Sequence, residues 1–185
     1  MGQRTAILTK RTFKDGTTNI RLTHVQWGFS NRMHQHFIQQ FLFAITDLTK
    51  FRFNGIWNMK NYFTFDHLVQ NEEYELYANE TYTTNPPYIF NKKVIQEYYS
   101  KTDNNNGGLI IDVKEKNVTY GPAFEHLKIA FITGPEECKN DQDKPFLELM
   151  TGAEYIKRTD PRLDPSFTAM WKNFVEFYGI EEVTD

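Results

Sequence analysis

Arg4-Thr5-Ala6-Ile7-Leu8-Thr9-Lys10-Arg11-Thr12-Phe13 is followed by Lys14-Asp15-Gly16-Thr17, and then by Thr18-Asn19-Ile20-Arg21-Leu22-Thr23-His24-Val25-Gln26. Both flanks alternate small polar and apolar side chains, the period of a strand with two unlike faces. Lys14-Asp15-Gly16-Thr17 between them is a tight-turn signal. The stretch therefore reads as a β-hairpin. In its second strand Ile20, Leu22 and His24 share one face, and Arg21, Thr23 and Val25 share the other.

Working outward, Trp27-Gly28-Phe29-Ser30 breaks the strand, and Ser30 is a candidate N-cap. Residues 31–49 place Met33, Phe37, Phe41, Ala44, Ile45 and Leu48 at helical spacing, widened by Ile38 and Leu42. A long amphipathic helix is expected there, with its aromatic stripe against the hairpin. The stretch 51–73 is ambiguous. A strand is expected over 74–83, stopped by Asn85-Pro86-Pro87. A short helix over 91–100 has Asn91 as its cap. Asp103-Asn104-Asn105-Asn106-Gly107-Gly108 reads as a loop.

Further on, Leu109-Ile110-Ile111-Asp112-Val113 reads as a strand, with a turn near Glu115-Lys116-Asn117 leading to Val118-Thr119-Tyr120. Another strand runs from Leu127 to Thr133. A helix is expected over 145–157. A final helix has Asp164 as cap, Pro165 at its first position and Gly179 just past its end. Its stripe is Phe167, Met170, Trp171, Phe174, Val175 and Tyr178. The expected fold is one α+β domain spanning 1–185: an N-terminal β-hairpin, a long amphipathic helix, a mixed or antiparallel sheet and C-terminal helices.

Composition narrows the function classes. Aromatic residues make up 16% of the chain, so Phe and Tyr carry much of the packing. The lone cysteine, Cys138, cannot form an internal disulfide, which fits a reducing cytoplasm. Its acidic neighbours Glu136, Glu137 and Asp141 disfavour a reactive thiolate. Neither a signal-peptide apolar region nor a run of about 18 apolar residues is present, so no membrane role is expected. Net charge is −3, yet residues 1–70 hold 9 Lys+Arg against 3 Asp+Glu, while residues 71–185 hold 12 against 21. The two halves either form opposed patches or mix on folding.

Few catalytic patterns are found. His34 and His36 lie two apart on the expected helix, which points them away from one metal. No zincin, dinucleotide, Walker or nucleophile-elbow motif occurs. His24 at the strand end, beside Trp27, Asn31, Arg32 and a helix N-terminus, is a candidate anion site. The aromatics Trp27, Phe29, Phe51, Phe53, Trp57 and Tyr62 interleave with Arg21, Arg32, Arg52 and Lys60. That mixture suits a nucleic-acid or protein contact surface as well as a core. Arg21, His24, Trp27, Arg32, Arg52, Trp57 and Lys60 are thus the candidate binding residues.

Asp112-Val113-Lys114, with Asp103 upstream, resembles the acid…(Asp/Glu)-x-Lys core of metal-dependent nucleases, although the upstream Pro-Asp is missing. That resemblance implies Mg²⁺ on Asp103 and Asp112, with Lys114 beside a scissile phosphate. No other cofactor is implied.

Met1-Gly2-Gln3-Arg4-Thr5-Ala6-Ile7-Leu8, His24-Val25-Gln26-Trp27-Gly28 and the helix that follows resemble the start of small uncharacterised proteins carried by phages and mobile elements of low-GC Gram-positive bacteria. The likeness covers about the first 45 residues and transfers no catalytic residue. It implies a non-enzymatic accessory protein in the host cytoplasm that binds and inhibits a host defence complex, anti-CRISPR proteins being one such class. The partner would be a host protein or a protein–nucleic-acid complex, with direct nucleic-acid contact as a further option. A Mg²⁺-dependent nuclease and a small nucleic-acid-binding module are the alternatives.

Overall fold

The computed structural model describes residues 4–26, 28, 32–34, 37, 74–102, 107–116, 124–133, 148–163 and 165–185. Two strands, β1 (Arg4–Thr12) and β2 (Thr18–Gln26), pair antiparallel from Arg4↔Gln26 to Thr12↔Thr18. The turn between them is closed by Asp15, which accepts from the Thr17 backbone N–H at 2.9 Å and from its hydroxyl at 2.7 Å. Gly16 sits at φ 87°, a conformation open to glycine without penalty.

The chain continues through β3 (Tyr74–Tyr82), α1 (Lys92–Tyr99), β4 (Gly108–Glu115) and β5 (Phe124–Ile132). It then forms β6 (Leu149–Met150), α2 (Gly152–Thr159), a short 3-10 turn (Pro161–Leu163), α3 (Ser166–Tyr178) and β7 (Glu181–Glu182). These strands make one mixed sheet in the order β3-β2-β1-β4-β5-β6, with β7 also pairing with β5. The β1–β4 and β5–β7 pairs are parallel and the rest antiparallel. The protein is thus a mixed α+β fold.

Helices cover both faces, which explains why β4 reads as an almost unbroken apolar run. One face carries Ile7, Val25, Leu109, Ile111, Val113, Leu127, Ile129 and Phe131 against Trp171, Phe174 and Tyr178 of α3 and Tyr155 of α2. Met33 and Phe37 join this layer, Phe37 edge-on to Trp171 and Phe174. Residues 32–34 and 37 are helical, and the remainder of 31–49 lies outside the described residues. The opposite face carries Ala6, Leu8, Ile20, Leu22, Ile110, Ala130 and Ile132 against Ile95, Tyr98 and Tyr99 of α1.

Asn91 caps α1 as expected, accepting from the Lys93 and Val94 N–H groups. The expected 145–157 helix is corrected: Leu149 and Met150 pair with Ile132 and Phe131 as β6, and the helix begins at Gly152. Thr151 and Glu154 form a reciprocal capping box that fixes that start. The last helix starts at Ser166 with Pro165 in the cap position, one residue later than expected, and Gly179 ends it at φ 61°. Asp164, the expected cap, lies outside the described residues, as does the 118–120 segment.

A buried knot joins these layers. His34 is fully buried, stacks on Phe131 with ring centres 4.4 Å apart, and packs edge-on to Trp171 at 4.6 Å. Its Nε2 lies 2.9 Å from the Gly152 carbonyl oxygen. Glu182 of β7 accepts from the Gly152 N–H at 2.7 Å and from the Trp171 indole N–H at 2.9 Å. A β-carbon on residue 152 would collide with the Trp171 ring and come within 2.8 Å of the His34 Nε2. Gly152→Ala is therefore expected to destabilise the protein by about 2 kcal/mol through overpacking, measured as a lower urea midpoint with unchanged slope.

Candidate polar site on the central strands

One face of the sheet is apolar only where α1 covers it. Beyond that cover, alternation along β1, β4 and β5 brings polar side chains onto the same face. The register sets them in two successive rows. Lys10 pairs with Asp112, and Asp112 with Lys128, in the first row. Lys128 in turn pairs with Glu181 of β7. In the second row Thr12 pairs with Lys114, and Lys114 with His126.

The first row alternates in charge across four strands. Asp112 is the buried member at 5% exposure. Its Oδ2 lies 3.7 Å from the Lys10 Nζ, and its Oδ1 lies 3.2 Å from the His126 Nε2. Lys128 meets Glu181 at 3.2 Å, and Lys114 meets Glu125 at 3.0 Å. The β4–β5 register shifts between Lys114 and Glu115, leaving Glu125 as the extra residue of a bulge. The shift restores Phe124 to the apolar layer beside Leu127 and places Glu125 within reach of Lys114.

This is the region that the Asp-x-Lys pattern singled out. Asp112 and Lys114 do share a face, as two residues apart on a strand must. Both oxygens of Asp112, however, already meet cationic or hydrogen-bonding nitrogens, and Lys114 is paired with a glutamate. A Mg²⁺ ion on Asp112 would share its carboxylate with Lys10 and His126. Asp103 lies outside the described residues. Among the described residues no group of three His, Cys, Asp or Glu side chains is placed to hold a metal.

The candidate binding residues are scattered where they are described. Arg21 is exposed on β2, opposite Thr9 and Asn79. His24 is buried on the other face of that strand, 5.9 Å ring to ring from Tyr77. Alternation thus separates the two. Arg32 is exposed on the helical turn after the hairpin. Trp27, Arg52, Trp57 and Lys60 lie outside the described residues.

Nor do the charged halves stay apart along β1. Lys10 pairs with Asp112, and the Arg11 guanidinium donates to Glu115 through Nε at 2.8 Å and also through Nη2. Parallel pairing of β1 with β4 thus interleaves basic residues of the first half with acids of the second.

A second polar cluster flanks α1. The Glu80 carboxylate accepts from the Tyr98 hydroxyl at 2.6 Å and the Tyr82 hydroxyl at 2.7 Å, with the Lys101 ammonium at 3.2 Å. The two phenol hydrogen bonds, Tyr98 first, hold the Glu80 carboxyl down to about 2. Burial, and then the bond to this carboxylate, lifts the Tyr98 phenol above its ordinary range. His126, Lys10, Lys128 and the Glu80 cluster were not singled out from the sequence. Their only signal there is polar residues at every second position of strands that are otherwise apolar.

No helix among the described residues is long and apolar enough to cross a membrane. No family model, curated protein or solved structure matches the chain.

Because the folded Glu80 carboxyl titrates below its ordinary value of 4.5, its contribution is complete above that value and drains away as pH falls towards 2. Glu80→Gln should cost about 1 kcal/mol at pH 7, kept small by solvent screening at this half-exposed site. Urea midpoints of parent and variant should converge near pH 2. A gap that persists there would show that the carboxylate charge is not what the two tyrosines recognise.

Proposed function

We propose that this chain is a non-enzymatic binding protein of the phage accessory type, which docks on and inhibits a nucleic-acid-handling host defence complex of the CRISPR kind. The observation that carries the non-catalytic part is the state of Asp112. The buried acid in the most enzyme-like sequence pattern is already engaged within the sheet, by the Lys10 ammonium on one oxygen and the His126 imidazole on the other. A carboxylate so engaged builds a sheet rather than presenting a metal. The inhibitory role and the cytoplasmic setting rest on the resemblance of the opening residues.

Large apolar side chains left in solvent supply material for a contact surface. Leu76 and Tyr77 on β3, Tyr88 in the loop that follows, and Phe177 on α3 are all exposed. Aromatic anchors of this kind dominate the energy of many protein interfaces. The Mg²⁺ nuclease using Asp103, Asp112 and Lys114 is the competing reading, and Asp112 is where the two divide.

Purified protein should suppress target cleavage by a reconstituted CRISPR effector in proportion to its concentration. It should itself leave DNA and RNA intact in Mg²⁺ or Mn²⁺. Combined Leu76→Ala, Tyr88→Ala and Phe177→Ala substitution should weaken suppression at least tenfold. Metal-dependent cleavage by the chain alone, abolished by Asp112→Asn, would overturn the proposal.

A further inference from the structure

Lys114, His126 and Lys128 stand at adjacent register positions on two neighbouring strands, and all three are partly open to solvent. Lys114 faces His126 across the β4–β5 pair. Lys128 lies two residues along β5, on the same face. Paired positions are about 5 Å apart, and same-face neighbours along a strand about 7 Å apart. Three nitrogen donors thus border a patch about as wide as one or two phosphate groups.

Their partners differ sharply in how firmly they are held. Asp112 is buried, fixed by Lys10 on one side, and holds the His126 ring through its Nε2. Glu125 and Glu181, which pair with Lys114 and Lys128, have side chains 57% and 60% exposed. Ion pairs this open contribute little and are readily exchanged. Swinging the two glutamates outward frees two ammonium groups without disturbing the buried acid. With Lys10, the cluster sets three ammonium groups and an imidazole against three carboxylates.

We propose that Lys114, His126 and Lys128 form a phosphate-binding site on the open half of this sheet face, with Asp112 orienting the imidazole from beneath. The site goes beyond the inhibitory reading and does not depend on it. The ligand class is a phosphate group, either free or in a nucleic-acid backbone. The groups facing His126 are Asp112 and Lys114 of β4, Lys10 of β1, Glu125 and Lys128 of β5, and Glu181 of β7.

The test follows the His126 ring resonances by NMR during titration of the full chain with pyrophosphate, and separately with a short single-stranded oligonucleotide. Saturable shifts are expected. Lys114→Ala with Lys128→Ala should weaken binding at least tenfold. His126→Asn, followed by calorimetry, should weaken binding at least threefold. Lys172→Ala, on the exposed side of α3, should change nothing. Saturation by pyrophosphate alone assigns a free-phosphate site, and preference for the oligonucleotide assigns a backbone contact. Absence of saturation with both probes, or a double variant that binds like the parent, overturns the proposal.

Discussion

Strand β1 lies so close to β4 at residue 108 that a β-carbon there would run into the Ala6 carbonyl oxygen and stand 2.7 Å from the Tyr99 hydroxyl. Glycine at this position lets the two strands pair in parallel. The Tyr99 hydroxyl donates to the Ala6 oxygen at 3.2 Å and approaches the Leu109 oxygen at 3.4 Å, tying α1 to both strands. Everything else in the sheet hangs on this junction. It joins the N-terminal hairpin with β3 to the C-terminal strands, and it sets Lys10 beside Asp112 and Arg11 beside Glu115. A one-residue slip would turn each of those side chains to the wrong face.

The same junction shapes the functional account. A polypeptide whose first 70 residues are basic and whose remainder is acidic invites the picture of two opposed surfaces. The pairing of β1 with β4 instead stitches the halves together through cross-strand ion pairs, one of them around a buried acid. Among the described residues, a polar, half-exposed patch lies beside that acid, and a few large apolar side chains on β3, its following loop and α3 are open to solvent.

Much of the architecture was legible wherever one local signal dominated. Alternation and the Asp15-Gly16 turn marked the hairpin, Asn91 marked α1, and Gly179 marked the end of α3. The short strands β6 and β7 escaped because two residues carry no periodicity, and each exists only through its partner β5. Leu149 and Met150 fit a helical stripe as well as a strand, and only the free edge of β5 and the Thr151 capping box decide between them. The candidate site was half legible. Asp112 and Lys114 follow from spacing along one strand, whereas Lys10, His126 and Lys128 depend on register between strands and on a bulge at Glu125, which no local pattern encodes.

Asp112, buried and 3.7 Å from the Lys10 ammonium, is held as a structural charge at the centre of this sheet. The direct measurement is a double-mutant cycle of Lys10→Met and Asp112→Asn in urea denaturation, run with and without Mg²⁺. A coupling energy of about 1–3 kcal/mol that is indifferent to the metal is the predicted result. Negligible coupling, together with a midpoint raised by Mg²⁺ in the parent but not in Asp112→Asn, would contradict it and place a metal ion on the carboxylate.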